Sequence, residues 1–171
     1  MPKLVAVVGG KHSGKTTVVE HLIVELKQRG HHVGAIKEMV RIPTLDVPAT
    51  ETDRYSSVGA EIIVAVPRDE TVVFIKKRLG VKDILPHLKG LDFVILEGFE
   101  TEKKLPKIIA AKTADEAKSY MDGSAIAVSG LILGSKAETK KAEVLELQLF
   151  DSLRQSKELA DLVEQKALAF S

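Results

Sequence analysis

Short apolar runs separated by polar stretches recur along the chain. Leu4–Val8 is continuously apolar, which marks a strand covered on both faces rather than one with a wet side. From Thr16 to Arg29 the apolar positions include Val19, Leu22, Ile23 and Leu26, the spacing of one helix face. Lys27 and Arg29 suit the C-terminal end of that helix, and Gly30 ends it. His32–Ile36 reads as a second short strand. Glu38–Thr52 shows no period and contains Pro43 and Pro48, so it is predicted as a long loop, a kind of segment that often carries function. Asp53–Val58 is predicted as one or two helical turns. Glu61–Val66 and Thr71–Lys76 read as paired strands about a Pro67–Glu70 turn.

The second half continues the alternation. Lys82–Leu88 is predicted as a short helix, Leu91–Leu96 as an apolar strand, and Lys107–Ala111 and Ala125–Val128 as further buried strands with helix Ala114–Tyr120 between them. Ser152–Ala169 is predicted as a closing helix with Leu159, Leu162, Val163 and Leu168 facing inward. Gly130–Phe150 carries no pattern that assigns it. Helical segments alternating with apolar strands predict an α/β fold with a mostly parallel central sheet, and residues 1–171 are read as a single domain.

Composition narrows the choices. With 171 residues, 44% of them hydrophobic, the chain can bury a core of ordinary size. Its 25 basic and 24 acidic side chains leave a formal charge of +1, so no electrostatic argument favours nucleic acid or an anionic membrane. The absence of tryptophan and the low aromatic content speak against stacking platforms for single strands. The lack of cysteine removes disulfides and thiolate metal sites. The apolar run Leu4–Val8 is too short for a secretory core segment, and no stretch approaches the roughly 20 apolar residues that span a bilayer. The expectation is a cytoplasmic protein without nucleic-acid or membrane partners.

The candidate chemistry lies directly after the first strand. Gly9-Gly10-Lys11-His12-Ser13-Gly14-Lys15-Thr16 fits G-x-x-x-x-G-K-[ST], with a strand before it and a helix after it. A polyphosphate needs many N–H donors converging on a small volume, and a loop turning from strand into helix supplies them. Gly9 and Gly14 permit the torsions and the close approach that side chains would block. The helix starting near Lys15 offers free amides and a positive dipole end. Gly9, Gly10, Lys11, His12, Ser13, Gly14, Lys15, Thr16 and Thr17 are therefore the expected phosphate-binding stretch. Within it Lys15 is expected to reach the outer phosphates and Thr16 to bind Mg²⁺, while the Lys11 and His12 side chains are expected in solvent. The motif and its setting together predict a three-layer P-loop NTPase fold.

A second element should be an acid at the end of a buried strand, because open parallel sheets bind ligands beyond the carboxyl ends of their strands. Glu97, after the apolar Phe93–Leu96, meets that requirement and could orient a magnesium-bound or attacking water. Asp92 precedes the strand and belongs at its far end.

Taken together, these residues resemble the MobB family, the molybdopterin-guanine dinucleotide biosynthesis proteins B. The resemblance rests on Ser13–Thr17, on Ile36-Lys37 after the second strand, on Asp53 ahead of Gly59-Ala60, and on Glu97-Gly98-Phe99. Leu105–Lys112 and Ala125–Gly130 are similar to two later strands of that family. The resemblance covers about Lys3 to Gly130. It implies a homodimer that binds GTP with Mg²⁺, hydrolyses it weakly, and assists a molybdenum cofactor nucleotidyltransferase that attaches GMP to molybdopterin. It also carries Asp53 over as a Mg²⁺-side residue beside Thr16 and Glu97, with Asp46 a weaker candidate.

The chain departs from the family pattern at Glu38-Met39-Val40-Arg41, where histidines are usual, and at Glu51-Thr52-Asp53-Arg54, where Asp53 keeps none of its usual flanks. No N-K-x-D or T-K-x-D tetrapeptide is present, and Lys112-Thr113-Ala114-Asp115 has a different spacing, so guanine preference rests on the resemblance alone. The loop with Ser129 and Gly130 is the expected place for contacts to the base. Arg41 and Arg54 are the nearest candidates for an arginine that assists hydrolysis. A small-molecule kinase and a non-hydrolysing nucleotide-binding scaffold are the competing readings.

Overall fold

The first apolar run becomes the middle of a sheet. In the computed structural model, which describes residues 1–39 and 51–169 except for the side chains of 51–53, β1 (Lys3–Val8) leads into α1 (Lys15–Gln28) and β2 (Val33–Lys37). Next come α2 (Glu51–Ser57), β3 (Ile62–Ala65), β4 (Val72–Ile75) and α3 (Val81–Ile84), which runs into a 3₁₀ turn over Leu85–Leu88. After β5 (Phe93–Glu97), β6 (Lys107–Ala110) and α4 (Ala114–Ser119), β7 (Ala125–Ser129) leads through a 3₁₀ turn to α5 (Lys136–Ala142). A further 3₁₀ turn, β8 (Gln148–Leu149), α6 (Ser156–Lys166) and β9 (Leu168–Ala169) complete the order.

The main sheet has the order β2-β5-β1-β6-β7-β8, with every neighbouring pair parallel. The α/β class and the P-loop NTPase fold with a mostly parallel sheet are as the sequence predicts. β1, β5 and β6 are buried along nearly their whole length, which is why they read as unbroken apolar runs. Val5, Val7, Phe93, Ile95 and Ile108 belong to one hydrophobic cluster with Val19, Leu22 and Leu26 of α1 and Leu159 and Val163 of α6.

Two polar fasteners hold this frame. Arg29, just past α1, donates to Glu25 at 3.0 Å, to Asp161 and Glu164 of α6 at 2.7 Å each, and to the Lys157 carbonyl at 2.8 Å. Lys107, the first residue of β6, is only 2% exposed; its ammonium donates to Asp122 Oδ2 at 2.6 Å and to the Glu100 carbonyl at 2.9 Å. Burial pushes the Asp122 carboxyl upward, but the Lys107 ammonium and the Ser124 hydroxyl and amide outweigh it and bring the pKa down to about 2.

The closing helix is shorter than predicted. It ends at Lys166, and Leu168 is an exposed residue of β9 rather than an inward one. β9 runs antiparallel to the start of β1, with Lys3 opposite Ala169 and Leu4 opposite Leu168. β6 comes alongside β1 only from Ala6 onward, so the first residues of β1 would otherwise leave main-chain groups unpaired on that side. The 130–150 region resolves into two short helical turns, α5 and β8.

Met1–Glu38 together with His87–Ser171 make one compact unit, and Met39–Pro86 a second. The second unit contains the predicted hairpin, β3 against β4, in register from Ile62 opposite Ile75 to Ala65 opposite Val72. Most of the predicted Glu38–Thr52 loop, with Arg41 and Asp46, lies outside the described residues. Among the described residues no helix is long and apolar enough to cross a membrane.

Candidate functional site

Every group in this site stands on the C-terminal edge of the sheet or on the loop that leaves it. β1 stops at Val8, and Gly9 turns the chain at φ 144°. A Cβ at Gly9 would lie 1.9 Å from the Ala110 carbonyl oxygen of the neighbouring strand, so only glycine fits. Gly14 adopts φ 96° and serves as the N-cap of α1 without any side-chain cap, and the first turn of α1 contains no acid. The first-turn amides and the positive end of the helix dipole are therefore left for an anion.

Lys15 folds back over this loop. Its ammonium donates to the Gly9 carbonyl at 2.7 Å and to the Gly10 carbonyl at 2.6 Å. An ammonium has three donors, so one remains for a ligand. Residues Lys11 to Thr17, with Glu97 and Leu131, line a cleft of about 470 Å³. A larger groove of about 960 Å³ lies elsewhere, between β8 and α6, and contains none of these groups. The Ser13 hydroxyl is buried in the loop and has no hydrogen-bond partner among the described residues.

Glu97 ends β5 directly opposite Val7 of β1 and Lys37 of β2. Its Oε1 accepts from the Thr16 hydroxyl at 2.9 Å. The Lys37 ammonium lies 3.0 Å from the same carboxylate oxygen and donates to Thr16 Oγ1 at 3.2 Å. A hydroxyl oxygen and a carboxylate oxygen thus share one cation. Such a hard-oxygen pair suits Mg²⁺, which keeps several waters and takes few protein ligands. No group of three or more His, Cys, Asp or Glu that could hold a metal occurs among the described residues. The turn after Glu97 is held from β2's side as well: the Phe99 amide donates to Glu38 Oε2 at 2.9 Å, and the Glu38 amide to the Glu97 carbonyl at 2.9 Å.

The other wall of the loop comes from β6 and β7. Lys112 donates to the Lys11 carbonyl at 3.1 Å, and its own amide donates to Glu116 Oε2 at 2.6 Å. The Leu131 amide donates to the Ser13 carbonyl at 3.1 Å. In the loop expected to contact a base, the Ser129 side chain is turned inward. That hydroxyl is fully buried and donates to the Phe150 carbonyl at 2.7 Å, fastening β7 to the end of β8, while Leu131 is the exposed residue at the cleft.

The predicted residues Gly9 to Thr17 and Glu97 therefore come together in one place, with Lys11 and His12 exposed as expected. Asp92 sits at the opposite end of the sheet, where its carboxylate accepts from the His32 amide at 2.8 Å. Asp53 lies in α2, in the second unit, and its side chain falls outside the described residues. Lys37 was not among the predicted site residues. Its signal in the sequence is the Ile36-Lys37 motif of the resemblance; its place beside the acid becomes readable only once β2 is known to pair with β5.

The family model for molybdopterin guanine dinucleotide synthesis protein B matches residues 4–130. A protein of Methanocaldococcus jannaschii assigned to molybdopterin-guanine dinucleotide biosynthesis as an adapter is 34% identical over 131 residues, covering 74% of this chain and 54% of its own length. This chain thus spans about half of that relative. A Bacillus subtilis protein with the same assignment is 23% identical over 129 residues, covering 73% of this chain and 74% of its own. The crystal structure of Bacillus subtilis MobB superposes with a TM-score of 0.74 at 19% identity, covering 98% of this chain and 99% of that one.

Proposed function

The chain belongs to the family of molybdopterin guanine dinucleotide synthesis protein B, and from that premise we propose that it binds Mg²⁺–GTP on Gly9–Thr17 and hydrolyses it slowly. In this reading it is a cytoplasmic homodimer that serves as an adapter in molybdopterin guanine dinucleotide formation, working beside the nucleotidyltransferase that joins GMP to molybdopterin. The observation that carries the reading is the convergence of uncapped α1 amides, the Lys15 ammonium and the Thr16–Glu97 oxygen pair on one cleft.

Each group then has a task. The loop amides and Lys15 neutralise and orient the phosphates, as fixed dipoles and charges do without reorganising. Thr16 and Glu97 would hold Mg²⁺, which supplies charge neutralisation at the transferring phosphoryl group. Glu97 Oε1 is committed to Thr16 and Lys37, and Oε2 has no partner among the described residues, so that oxygen is free to orient an attacking water. The adapter role is supported by the family match and by the two relatives.

Calorimetric titration with GTP, ATP and molybdopterin, with and without Mg²⁺, tests the reading. Lys15→Ala and Thr16→Ala should each weaken Mg²⁺–GTP binding by about 10- to 100-fold, the worth of one charge-assisted contact, while the far-ultraviolet circular dichroism stays unchanged. Glu97→Gln should lower turnover more than affinity. Unchanged affinity in both loop variants would remove the site.

A further inference from the structure

Lys37 sits where the paired ends of β2 and β5 bring one cation onto two oxygens. Thr16 Oγ1, Glu97 Oε1 and Lys37 Nζ form a near-equilateral triangle with sides of 2.9, 3.0 and 3.2 Å. Glu97's side chain is only 10% exposed, so a carboxylate there needs a counter-charge, and the ammonium provides it. Lys37's side chain is 46% exposed on the last residue of an edge strand, at the end of a flexible four-carbon stem. It can leave for water without disturbing the core.

We propose that Lys37 is the resident counter-ion of the Thr16–Glu97 pair and that Mg²⁺ has to displace it, so that ammonium and metal compete for the same two oxygens. The inference rests on the nucleotide-binding reading above and adds to it a built-in brake on metal loading. A divalent ion bound to both oxygens would stand within a few ångströms of the ammonium, and like charges at about 4 Å repel by several kcal/mol at the dielectric of a partly exposed site. The two positions are therefore exclusive. In the metal-free protein the ammonium keeps Glu97 compensated. On loading, Lys37 swings out and Thr16 Oγ1 gives up the hydrogen bond it accepts from the ammonium.

The test is Mn²⁺ binding, read from the electron paramagnetic resonance signal of the free ion, in the presence of a saturating GTP analogue with a β,γ-imido bridge. No turnover is involved. Lys37→Met removes the competing charge and should lower the Mn²⁺ dissociation constant about fivefold, equivalent to about 1 kcal/mol. Lys37→Arg keeps the charge and should remain closer to wild type than to Lys37→Met. If the wild-type protein binds the analogue but Lys37→Met binds Mn²⁺ equally or more weakly, displacement is wrong and the nucleotide reading survives. If the wild-type protein binds no analogue with Mn²⁺ present, both fall together.

Discussion

Replacing Asp122 by asparagine should damage this protein more than replacing Lys107 by methionine, although both changes break the same contact. The asymmetry follows from where each partner sits. Lys107's side chain is 2% exposed at the start of β6, whereas Asp122's is 36% exposed. Asp122→Asn leaves an ammonium in the interior with only neutral oxygens, the Glu100 carbonyl and the new amide's, and a buried charge stripped of its counter-charge costs about 3–5 kcal/mol. Lys107→Met fills the same space with an apolar chain and leaves a carboxylate that water and Ser124 still reach, so its cost should be about 1 kcal/mol. Acid gives an independent reading of the same pair. The Asp122 carboxyl falls from its ordinary 3.8 to about 2 in the folded protein. At 1.36 kcal/mol per pH unit that drop is worth about 2.4 kcal/mol, trimmed to about 1–2 kcal/mol because solvent screens a carboxylate this exposed. Because the folded value is the lower one, this stability is present above pH 3.8 and disappears as pH falls toward 2. Urea unfolding at pH 7 would measure the two variants, and a series from pH 5 to pH 2 would compare the slope of the wild type with that of Asp122→Asn. Lys107→Met proving as harmful as Asp122→Asn, or Asp122→Asn keeping the full acid slope of the wild type, would refute the reasoning.

Two other outcomes follow from the frame around the cleft. Gly9→Ala should destabilise the fold by about 2–4 kcal/mol in urea unfolding, because its Cβ meets the Ala110 carbonyl oxygen at 1.9 Å and neither backbone can yield cheaply. Arg29→Lys should cost about 1–2 kcal/mol by thermal unfolding despite keeping the charge, since one ammonium cannot reproduce the fork that meets Glu25, Asp161, Glu164 and the Lys157 carbonyl together.

What could be read from the chain alone was whatever is local in it. The Gly9–Thr17 loop was legible because strand, glycines, lysine and threonine are consecutive, and Glu97 because it ends an unbroken apolar strand. Lys37 stands out in the sequence only as part of the Ile36-Lys37 resemblance, since its role against Glu97 depends on β2 lying beside β5, a fact of strand order. Lys107 read as the polar first residue of a strand, and nothing in its neighbourhood pointed to Asp122 as a partner. The closing helix was drawn too long because Ala167, Leu168 and Ala169 suit a helical period. What stops it is tertiary: main-chain groups at the start of β1 draw those residues into β9. The short elements after Gly130 lacked the length that makes a period detectable.

The strand order also has a consequence for how this chain is made. β1 precedes its partners by a long stretch of chain: Leu4 meets Val94 on one flank and Leu168 on the other. A strand this apolar must wait, unpaired, through α1, β2 and the second unit until β5 is made, and the free flank at Leu4 waits longer still, until Leu168. Contacts so distant in sequence make folding slow and leave nascent chains open to aggregation meanwhile. The arrangement that sets the Gly9–Thr17 loop at the centre of the sheet therefore makes the growing chain dependent on shielding, by the ribosome surface or by chaperones, until β5 and β9 arrive.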